Sequence, residues 1–398
     1  MLMETTETPL QKRIKRHVIG RERQFFAATA PGLEPLCKKE LTALLPPGTP
    51  AAIVEGGVEF TARLHDAYRA GLNLRTANRV LMRMTSFLAT NFRQLEKNLL
   101  DVPWELFLMP GTATRIHVTS RHSRLYHREA VAERVRTCVA DRFAQGGFAE
   151  GSPPERAVTQ QIFLRVADNR FALSIDSSGD LLHKRGIKPG AARAPLRATL
   201  AAAALMLSGY TGSEPLLDPM CGSGTFSIEA ALIAQNIPPG WFRDFAFMQW
   251  PSFQAGRWKH LKREAEKKIV RIDTPLVFAS DRDDRAVRDL EDCVARHGLS
   301  GVIAVSDRDF FDLSPQKLTD RPGLVTLNPP FGRRLGSRQN SEAFFLSVCD
   351  RLKKEYKGWK FALIAPDRHL AETAPLRATV HILSHGGLKV ALMAGKIV

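Results

Sequence analysis

The second half of the chain contains four short, continuous apolar runs, and these runs constrain the fold more than any other feature. They cover residues 276–279, 302–305, 324–327 and 361–364. Strands that helices cover on both faces have this composition, because neither face of the strand meets water. Segments with helical spacing lie between the runs. The pattern therefore predicts an α/β domain with a parallel sheet, and the runs 380–383 and 388–394 predict an antiparallel edge.

The first half is predicted to be α+β and to be built from shorter units. A strand that starts at Phe25 precedes a helix over 33–45, and Asp168-Asn169 is typical of the turn in a hairpin. Glycines, prolines and basic residues between the two halves predict a linker. The predicted regions are a flexible basic tail over 1–22, an α+β region over 23–178, a linker over 179–194 and an α/β domain over 195–398.

Composition excludes several classes of protein. The longest apolar stretch, 200–207, is far shorter than the ~18 residues that a membrane span needs, and no charged-then-apolar leader opens the chain. The five cysteines are scattered and form no C-x-x-C pair, which argues against a disulfide scaffold or a cysteine-rich zinc site. We expect a cytoplasmic protein with no metal and no membrane partner, and the sequence predicts no protein partner.

The net charge of +16 is the first positive indication of function. Such an excess favours a polyanionic partner, because cations that neutralise phosphates release counterions. Much of the charge is clustered in the runs 12–23 and 257–271 and at Arg333 and Arg334. A basic composition without a partner is the alternative, but nucleic acid is the expected large partner.

The segment from Asp218 to Thr225 follows a predicted strand and opens a predicted helix. Glycines at such a junction, here Gly222 and Gly224, let backbone N–H groups approach a ligand at the helix N-terminus. The dinucleotide fingerprint is incomplete, because Ser227 replaces its third glycine. An acid ahead of the turn suits a cationic ligand better than a pyrophosphate. A tight turn without a ligand is the structural alternative.

Acidic residues also end the next two apolar runs. Asp281 ends one run, and a carboxylate in this position can accept both hydroxyls of a ribose. Asp309 and Phe310 follow the next run, where an acid and an aromatic ring could hold the edge and the face of an adenine. Each acid alone could be a solvated loop residue or a helix cap. Three acids at three successive strand ends make a stronger case together.

The most specific motif is Asn328-Pro329-Pro330-Phe331, which follows the run 324–327. Two prolines stiffen the chain, so the Asn328 amide and the Pro329 carbonyl can be held as fixed acceptors. Acceptors that grip the hydrogens of a ring-conjugated amine favour a pyramidal nitrogen that can attack an electrophile. Phe331 would stack on the base, which must leave its helix to reach the site. A rigid loop is the structural alternative.

Four motifs resemble, in sequence and in order along the chain, those of class I S-adenosylmethionine-dependent methyltransferases that act on amino groups. They are D-P-M-C-G-S-G-T, S-D-R-D, D-F-F and N-P-P-F. Residues 182–186, 194–197 and 27–34 make the chain similar to bacterial THUMP-domain 23S rRNA guanine-N2 methyltransferases of the RlmL N-terminal-module type. The resemblance covers roughly residues 24 to 398. Arg333 departs from it, because the family commonly has an acid at that position.

The resemblance implies a Rossmann-like methyltransferase domain after a ferredoxin-like and THUMP RNA-binding region, with S-adenosylmethionine as cofactor and 23S rRNA as substrate. It assigns the cofactor to Asp218, Gly222, Gly224, Thr225, Asp281, Asp309 and Phe310, and it assigns catalysis to Asn328, Pro329, Pro330 and Phe331. A tRNA guanine-N2 methyltransferase is the nearest rival. A DNA adenine methyltransferase, a protein glutamine methyltransferase and a non-catalytic RNA-binding module are further alternatives. The aromatic and basic insertion over 237–258 could stack on RNA bases or anchor itself to the core.

Overall fold

The structure is a computed structural model that describes residues 7–146, 159–187, 196–330, 338–385 and 388–398. The first half contains helices α1 (Pro9–Ile14), α2 (Glu34–Leu44), α3 (Leu64–Asn73), α4 (Phe92–Leu100) and α5 (Arg128–Gln145). Its strands are β1 (Arg23–Thr29), β2 (Ala51–Val54), β3 (Gly57–Ala62), β4 (Ala77–Leu88), β5 (Thr114–Arg121), β6 (Gln160–Ala167) and β7 (Arg170–Asp176).

These seven strands form one sheet in the order β2-β3-β1-β4-β7-β6-β5. The first four strands and two helices have the β-α-β-β-α-β order of a ferredoxin-like unit, which confirms the predicted α+β class. The predicted hairpin turn is also present, since Asp168 and Asn169 both have positive φ, at 50° and 62°. Two consecutive left-handed residues match the twist of the flanking strands.

The N-terminal basic segment is ordered, so the prediction of a flexible tail over 1–22 is wrong for its described part from Pro9 onward. Helix α1 continues as a π-helix over Lys15–Ile19. Ile14 and Val18 are buried in the core of the first half, and the helix begins with a capping box at Thr8. Leu10 and Ile19 also pack against this core, so apolar residues dock the helix although its other residues are mostly polar.

The second half contains helices α6 (Ala198–Leu207), α7 (Thr225–Ala234), α8 (Ala255–Glu266), α9 (Asp284–Arg296), α10 (Arg338–Glu355) and α11 (Arg368–Thr373). Its strands are β8 (Leu216–Asp218), β9 (Val277–Asp281), β10 (Ile303–Asp307), β11 (Leu324–Leu327), β12 (Lys360–Ala365), β13 (Thr379–His385) and β14 (Leu388–Lys396). They form a second sheet in the order β10-β9-β8-β11-β12-β14-β13. Strands β8 to β12 are parallel and β14 is antiparallel to both neighbours, which confirms the predicted α/β domain and its antiparallel edge.

The aromatic insertion anchors the second half to the first. Phe245, Phe247 and Trp250 are buried in the hydrophobic core of the first half. The Phe247 ring stacks on Tyr68 of α3 with centroids 4.3 Å apart, and the Trp250 indole N–H donates to the Gln160 side chain at 2.9 Å. Burial of these three rings resolves the alternatives in favour of anchoring, because a buried ring offers no face to an RNA base.

A buried ion network also joins the two halves. Glu229 on α7 accepts hydrogen bonds from the Arg185 guanidinium at 2.7 and 3.4 Å, and it pairs with Arg75 at 3.5 Å. Arg75 lies between α3 and β4 in the first half, and its guanidinium also donates to the Ile237 carbonyl at 2.9 Å. The network therefore ties the first half to helix α7. Among the described residues, no helix is both long enough and apolar enough to cross a membrane.

Candidate active site

Three of the predicted polar residues lie at one edge of the second sheet. Asp218 ends β8, Asp281 ends β9 and Asn328 follows β11. Strand β8 lies between β9 and β11, so Asp281 and Asn328 are two strand spacings apart, or about 10 Å. The register pairs Asp218 with Ala279, which sets Asp281 two residues beyond Asp218 at this edge. Ligands of open α/β sheets bind at the carboxyl ends of such strands.

The turn between β8 and α7 is shaped by its two glycines. Gly224 has a φ of +71°, and a Cβ there would lie 2.3 Å from Leu290 of α9, so a side chain would be strained and would displace Leu290. Gly222 has a φ of +50°, but a Cβ there would meet no atom within 4 Å. Open space beside Gly222 leaves the backbone accessible to a ligand. Thr225 begins α7, and its hydroxyl lies 3.3 Å from the Ser223 hydroxyl.

Asp218 is buried beneath this turn. Its carboxylate accepts hydrogen bonds from the Ser227 backbone N–H at 3.2 Å and from the Ser227 hydroxyl at 2.7 Å. Burial raises the pKa of Asp218 to about 7, although the bonds from Ser227 oppose that rise. In this position Asp218 braces the first turn of α7. A direct contact between Asp218 and a cofactor stays a prediction.

Asp281 connects the glycine turn to the next strand. One of its carboxylate oxygens accepts the Gly222 N–H at 2.8 Å, and the other accepts the Asp283 N–H at 3.1 Å. Each oxygen therefore keeps a lone pair, and the residue is only half-buried. Asp283 has a different task, because its side chain caps α9 through the Arg285 N–H at 3.0 Å.

The segment after β10 places Asp309 and Phe310 differently from each other. The Asp309 carboxylate accepts the Phe311 N–H at 2.9 Å, and its side chain is 30% exposed. Phe310 is 1% exposed and packs on Phe311 and Tyr356, so its ring face is not open to a ligand. The neighbouring Phe311 is only half-buried. We therefore move the expected ring contact with a ligand from Phe310 to Phe311.

The Asn328 motif extends from the most deeply buried part of the sheet. Every residue of β11 is buried, Pro329 is buried, and Asn328 and Pro330 are half-buried. Within the described part of the chain, the Asn328 amide makes no hydrogen bond, so no described group competes with a ligand for its oxygen. Phe331 lies outside the described residues, as does Arg333. The roles of Asn328, Pro329, Pro330 and Phe331 stay predictions.

Sequence reasoning missed Ser227 as a part of this site and Glu229 as the buried acid on the same helix. Ser227 was noted only as a departure from the dinucleotide fingerprint, yet it holds the Asp218 carboxylate. Glu229 is 0% exposed in a helix that contains no other charged residue. A single acid in such a helix indicates a buried cationic partner, because a buried charge without a partner raises the free energy of the folded state.

Comparison with family models assigns both halves. Residues 24–81 match the model described as the RlmL ferredoxin-like domain, and residues 185–386 match the model described as the RMKL-like methyltransferase domain. Neither match covers residues 82–184, so the predicted THUMP region stays a prediction.

Named proteins are similar over nearly the whole chain. The ribosomal RNA large subunit methyltransferase K/L of Methylococcus capsulatus is 34% identical over 93% of this chain, which spans about half the length of that relative. A Synechocystis sp. protein, named provisionally as an RNA methyltransferase, is 31% identical over 93% of this chain and 96% of its own length.

Two solved structures share the fold over 95% of this chain. A candidate methyltransferase complexed with SAH has a TM-score of 0.82 and 26% identity over 99% of its own chain. A Listeria monocytogenes protein described, as a prediction, as an N6-adenine-specific DNA methylase has a TM-score of 0.82 and 28% identity over 97% of its chain. With the predicted motifs at one sheet edge and both domain matches, the chain belongs to the RMKL-like methyltransferase family and carries an RlmL-type ferredoxin-like domain.

Proposed function

We propose that the protein transfers a methyl group from S-adenosylmethionine to the exocyclic N2 of a guanine in 23S rRNA. The observation that carries this proposal is that Asn328-Pro329-Pro330, the Gly222 turn and Asp281 lie at the carboxyl ends of three neighbouring strands, β11, β8 and β9, at one edge of the second sheet. The ribosomal RNA methyltransferase name of the Methylococcus relative supports the RNA substrate.

The residues at the sheet edge fit S-adenosylmethionine. The open backbone at Gly222 suits close approach of the methionine end, and the free lone pairs of Asp281 suit the two ribose hydroxyls. Asp309 and Phe311 would hold the adenine. When bound, S-adenosylmethionine supplies an electrophilic methyl group. Among the described residues there is no group of side chains suited to a metal ion, and the proposed reaction assigns no task to a metal.

Asn328 and Pro329 orient the target amine. The Asn328 amide oxygen and the Pro329 carbonyl oxygen accept the two hydrogens of the exocyclic amine, so the nitrogen lone pair turns away from the ring. These acceptors are held on a stiff loop after a buried strand, so they need little reorganisation in the transition state. The amine can shed its proton to solvent after attack, and no general base is assigned.

The rival functions differ in substrate rather than in the transfer site. A tRNA guanine-N2 methyltransferase would use the same domains, and the description of the Listeria protein favours a DNA adenine substrate. Protein glutamine methylation suits the ferredoxin-like half and the charge of +16 less well. A non-catalytic RNA-binding module is disfavoured by the half-buried Asn328, which makes no hydrogen bond within the described chain.

Methyl transfer to matched substrates tests the proposal. The whole chain is incubated with isotope-labelled S-adenosylmethionine and with deproteinised 23S rRNA, bulk tRNA or duplex DNA, and the digested nucleosides are identified by mass spectrometry. We expect labelled N2-methylguanosine from 23S rRNA. Label in N6-methyladenine of DNA, or label only in tRNA, would reject the proposed substrate.

We also propose a cytoplasmic location. All five cysteines are free and buried. Free thiols suit a reducing compartment, where disulfides do not persist.

A further inference from the structure

Both basic runs of the sequence lie on helices that pack against α3. The N-terminal helix over 9–19 contacts α3, and so does α8 of the insertion. The contact with α8 is close, because the Trp258 ring meets the Tyr68 ring edge-on at 6.4 Å and the Tyr68 hydroxyl accepts the Gln254 N–H at 3.4 Å. Two runs more than 230 residues apart in sequence therefore flank one helix.

We propose that these three helices form one binding surface for the phosphate backbone of the RNA substrate, an inference that rests on the proposed function. The surface, called here the three-helix basic surface, is defined by six exposed cations: Lys12, Arg16, Arg63, Arg257, Lys259 and Arg263. The occupant is structured RNA, bound through its phosphates and without reading of the base sequence.

The six cations are not neutralised by the protein. Within the described residues none of them forms an ion pair, whereas three acids on or beside these helices pair with other cations. Glu7 pairs with Lys15, Asp66 with Arg69 and Glu264 with Lys267. An exposed, uncompensated group of cations is the electrostatic footprint of a polyanion site.

The charges converge where α3 meets α8. An Arg257 guanidinium nitrogen lies 3.4 Å from Nδ1 of His65. The pKa of His65 is lowered, first by burial and further by the guanidiniums of Arg257, Arg69 and Arg63, although Asp66 opposes the shift. A positive potential that disfavours a further proton on His65 also favours a bound phosphate.

The open face of the first sheet is the rival surface, and it is less suited. Its arginines are largely paired with acids: Arg79 with Asp176, Arg83 with Glu59, and both Arg121 and Arg165 with Glu55. Arg115 and Arg170 on that sheet are exposed and, within the described residues, form no ion pair. They provide a control pair with the same charge.

The position of α8 indicates a macromolecular ligand. Helix α7 begins at the edge of the second sheet that holds Asp218, Asp281 and Asn328, called here the catalytic edge. It runs ten residues, about 15 Å, before the insertion begins. The chain segments before and after the insertion meet at the far end of α7, where the Val270 N–H donates to the Gln235 carbonyl at 2.8 Å. Because rings such as Phe247 are buried, the surface offers cations rather than stacking platforms. A-form RNA is bound in this way, by shape and backbone.

Salt-dependent binding of deproteinised 23S rRNA tests the proposal. The full chain is compared with K12Q/R16Q, K259Q/R263Q, their combination and the control R115Q/R170Q. Each lost phosphate contact should lower the slope of log affinity against log salt by about 0.9. We expect each pair on the three-helix basic surface to weaken binding at 0.1 M salt about 10- to 50-fold. The control should change binding less than 3-fold, and cofactor affinity should stay unchanged in all variants.

The outcomes separate this proposal from the proposed function. If the wild-type chain methylates rRNA while the surface variants bind like wild type, only the surface assignment is overturned. An equal or larger loss in R115Q/R170Q also overturns it, in favour of the open sheet face. If the wild-type chain neither binds nor methylates rRNA, both proposals fail. A loss of affinity with an unchanged salt slope contradicts phosphate contacts.

Discussion

The two seven-stranded sheets of the molecule distribute their polar residues in different ways. At the second sheet, Asp281 and Asn328 converge on one edge within about 10 Å. Around the first sheet, cations are spread over three helices from distant parts of the chain. The difference teaches that group transfer needs a few groups held at close range, whereas a polyanion is held by dispersed charge.

The junction between the two regions is built from buried contacts. Glu229 on α7 pairs with Arg75 and Arg185. Arg243 of the insertion donates to four backbone carbonyls in the connecting segment 178–184. Gly186 is also enclosed there, because a Cβ would lie 1.9 Å from the Phe242 carbonyl oxygen. The described part of the predicted linker is therefore packed rather than extended.

The largest effect is expected on methyl transfer, from a substitution at the catalytic edge. Replacement of Asn328 by alanine should reduce methyl transfer about 100- to 1,000-fold, because it removes one preorganised contact made in the transition state. Cofactor and RNA affinities should stay close to wild type. Single-turnover methylation of rRNA, run beside a melting curve, measures both. The half-buried Asn98 on α4, far from this edge in sequence, provides a matched control, N98A, that should stay fully active. Joint loss of stability and cofactor binding would instead identify Asn328 as a brace.

The next prediction concerns the buried ion network that joins the two halves of the chain. Glu229→Ala leaves Arg185 buried without its carboxylate, and such a change costs about 3–5 kcal/mol of stability. Urea unfolding followed by tryptophan fluorescence gives the loss. Glu291→Ala removes an exposed acid from α9 and should change stability by less than about 0.5 kcal/mol. Equal stability of the two variants would show that the network does not hold the halves together.

A smaller effect is expected at the cofactor end of the edge. Asp281→Ala should weaken binding of S-adenosylmethionine by about 1–3 kcal/mol, because hydrogen bonds to a charged acceptor are lost. The structure adds a second cause, since the Gly222 N–H also loses its acceptor. Calorimetry should find a smaller loss of cofactor affinity for Asp283→Ala, because the Asp283 carboxylate caps α9 and is not assigned to the ribose. Unchanged affinity in Asp281→Ala would remove the ribose assignment.

A prediction of a different kind concerns the pH dependence of stability, where the effect per pH unit is small. The folded pKa of Asp218, about 7, lies above that of an ordinary carboxyl, so the folded state binds the extra proton. Stability from this group is fully present below the ordinary carboxyl pKa and is lost as pH rises to about 7. The loss is at most about 1.4 kcal/mol per pH unit. Asp218→Asn cannot titrate, so melting curves of wild type and variant should diverge with pH across this interval. Parallel curves would contradict the raised pKa.

Much of the second domain could be predicted because its signals are local in sequence. Continuous apolar runs gave the parallel strands, and an acid or amide directly after a run lies at the carboxyl edge. The burial of Phe310 was not predictable in this way, because D-F-F does not say which ring faces inward. The sequence likewise left open whether the rings of 237–258 are buried or contact RNA, because aromatic residues are common in both settings.

The junction and the three-helix basic surface depend on contacts between distant segments. Glu229 lies 154 residues from Arg75 and 44 from Arg185, so no motif connects them. The N-terminal run looked unstructured because few of its residues are apolar, although Ile14 and Val18 are buried in the core. Basic composition predicted a polyanion partner but could not say that residues 12–16 and 257–263 flank the same helix.

Steady-state methylation of deproteinised 23S rRNA tests the central claim, that the two regions have separate tasks. Wild type is compared with N328A and with the combined K12Q/R16Q/K259Q/R263Q variant. N328A should lose kcat and keep KM for RNA, because its contact belongs to the transition state. The combined variant should raise KM and keep kcat, because phosphate contacts far from the reacting atoms bind substrate and transition state equally. Loss of the same kinetic parameter in both variants would contradict the separation.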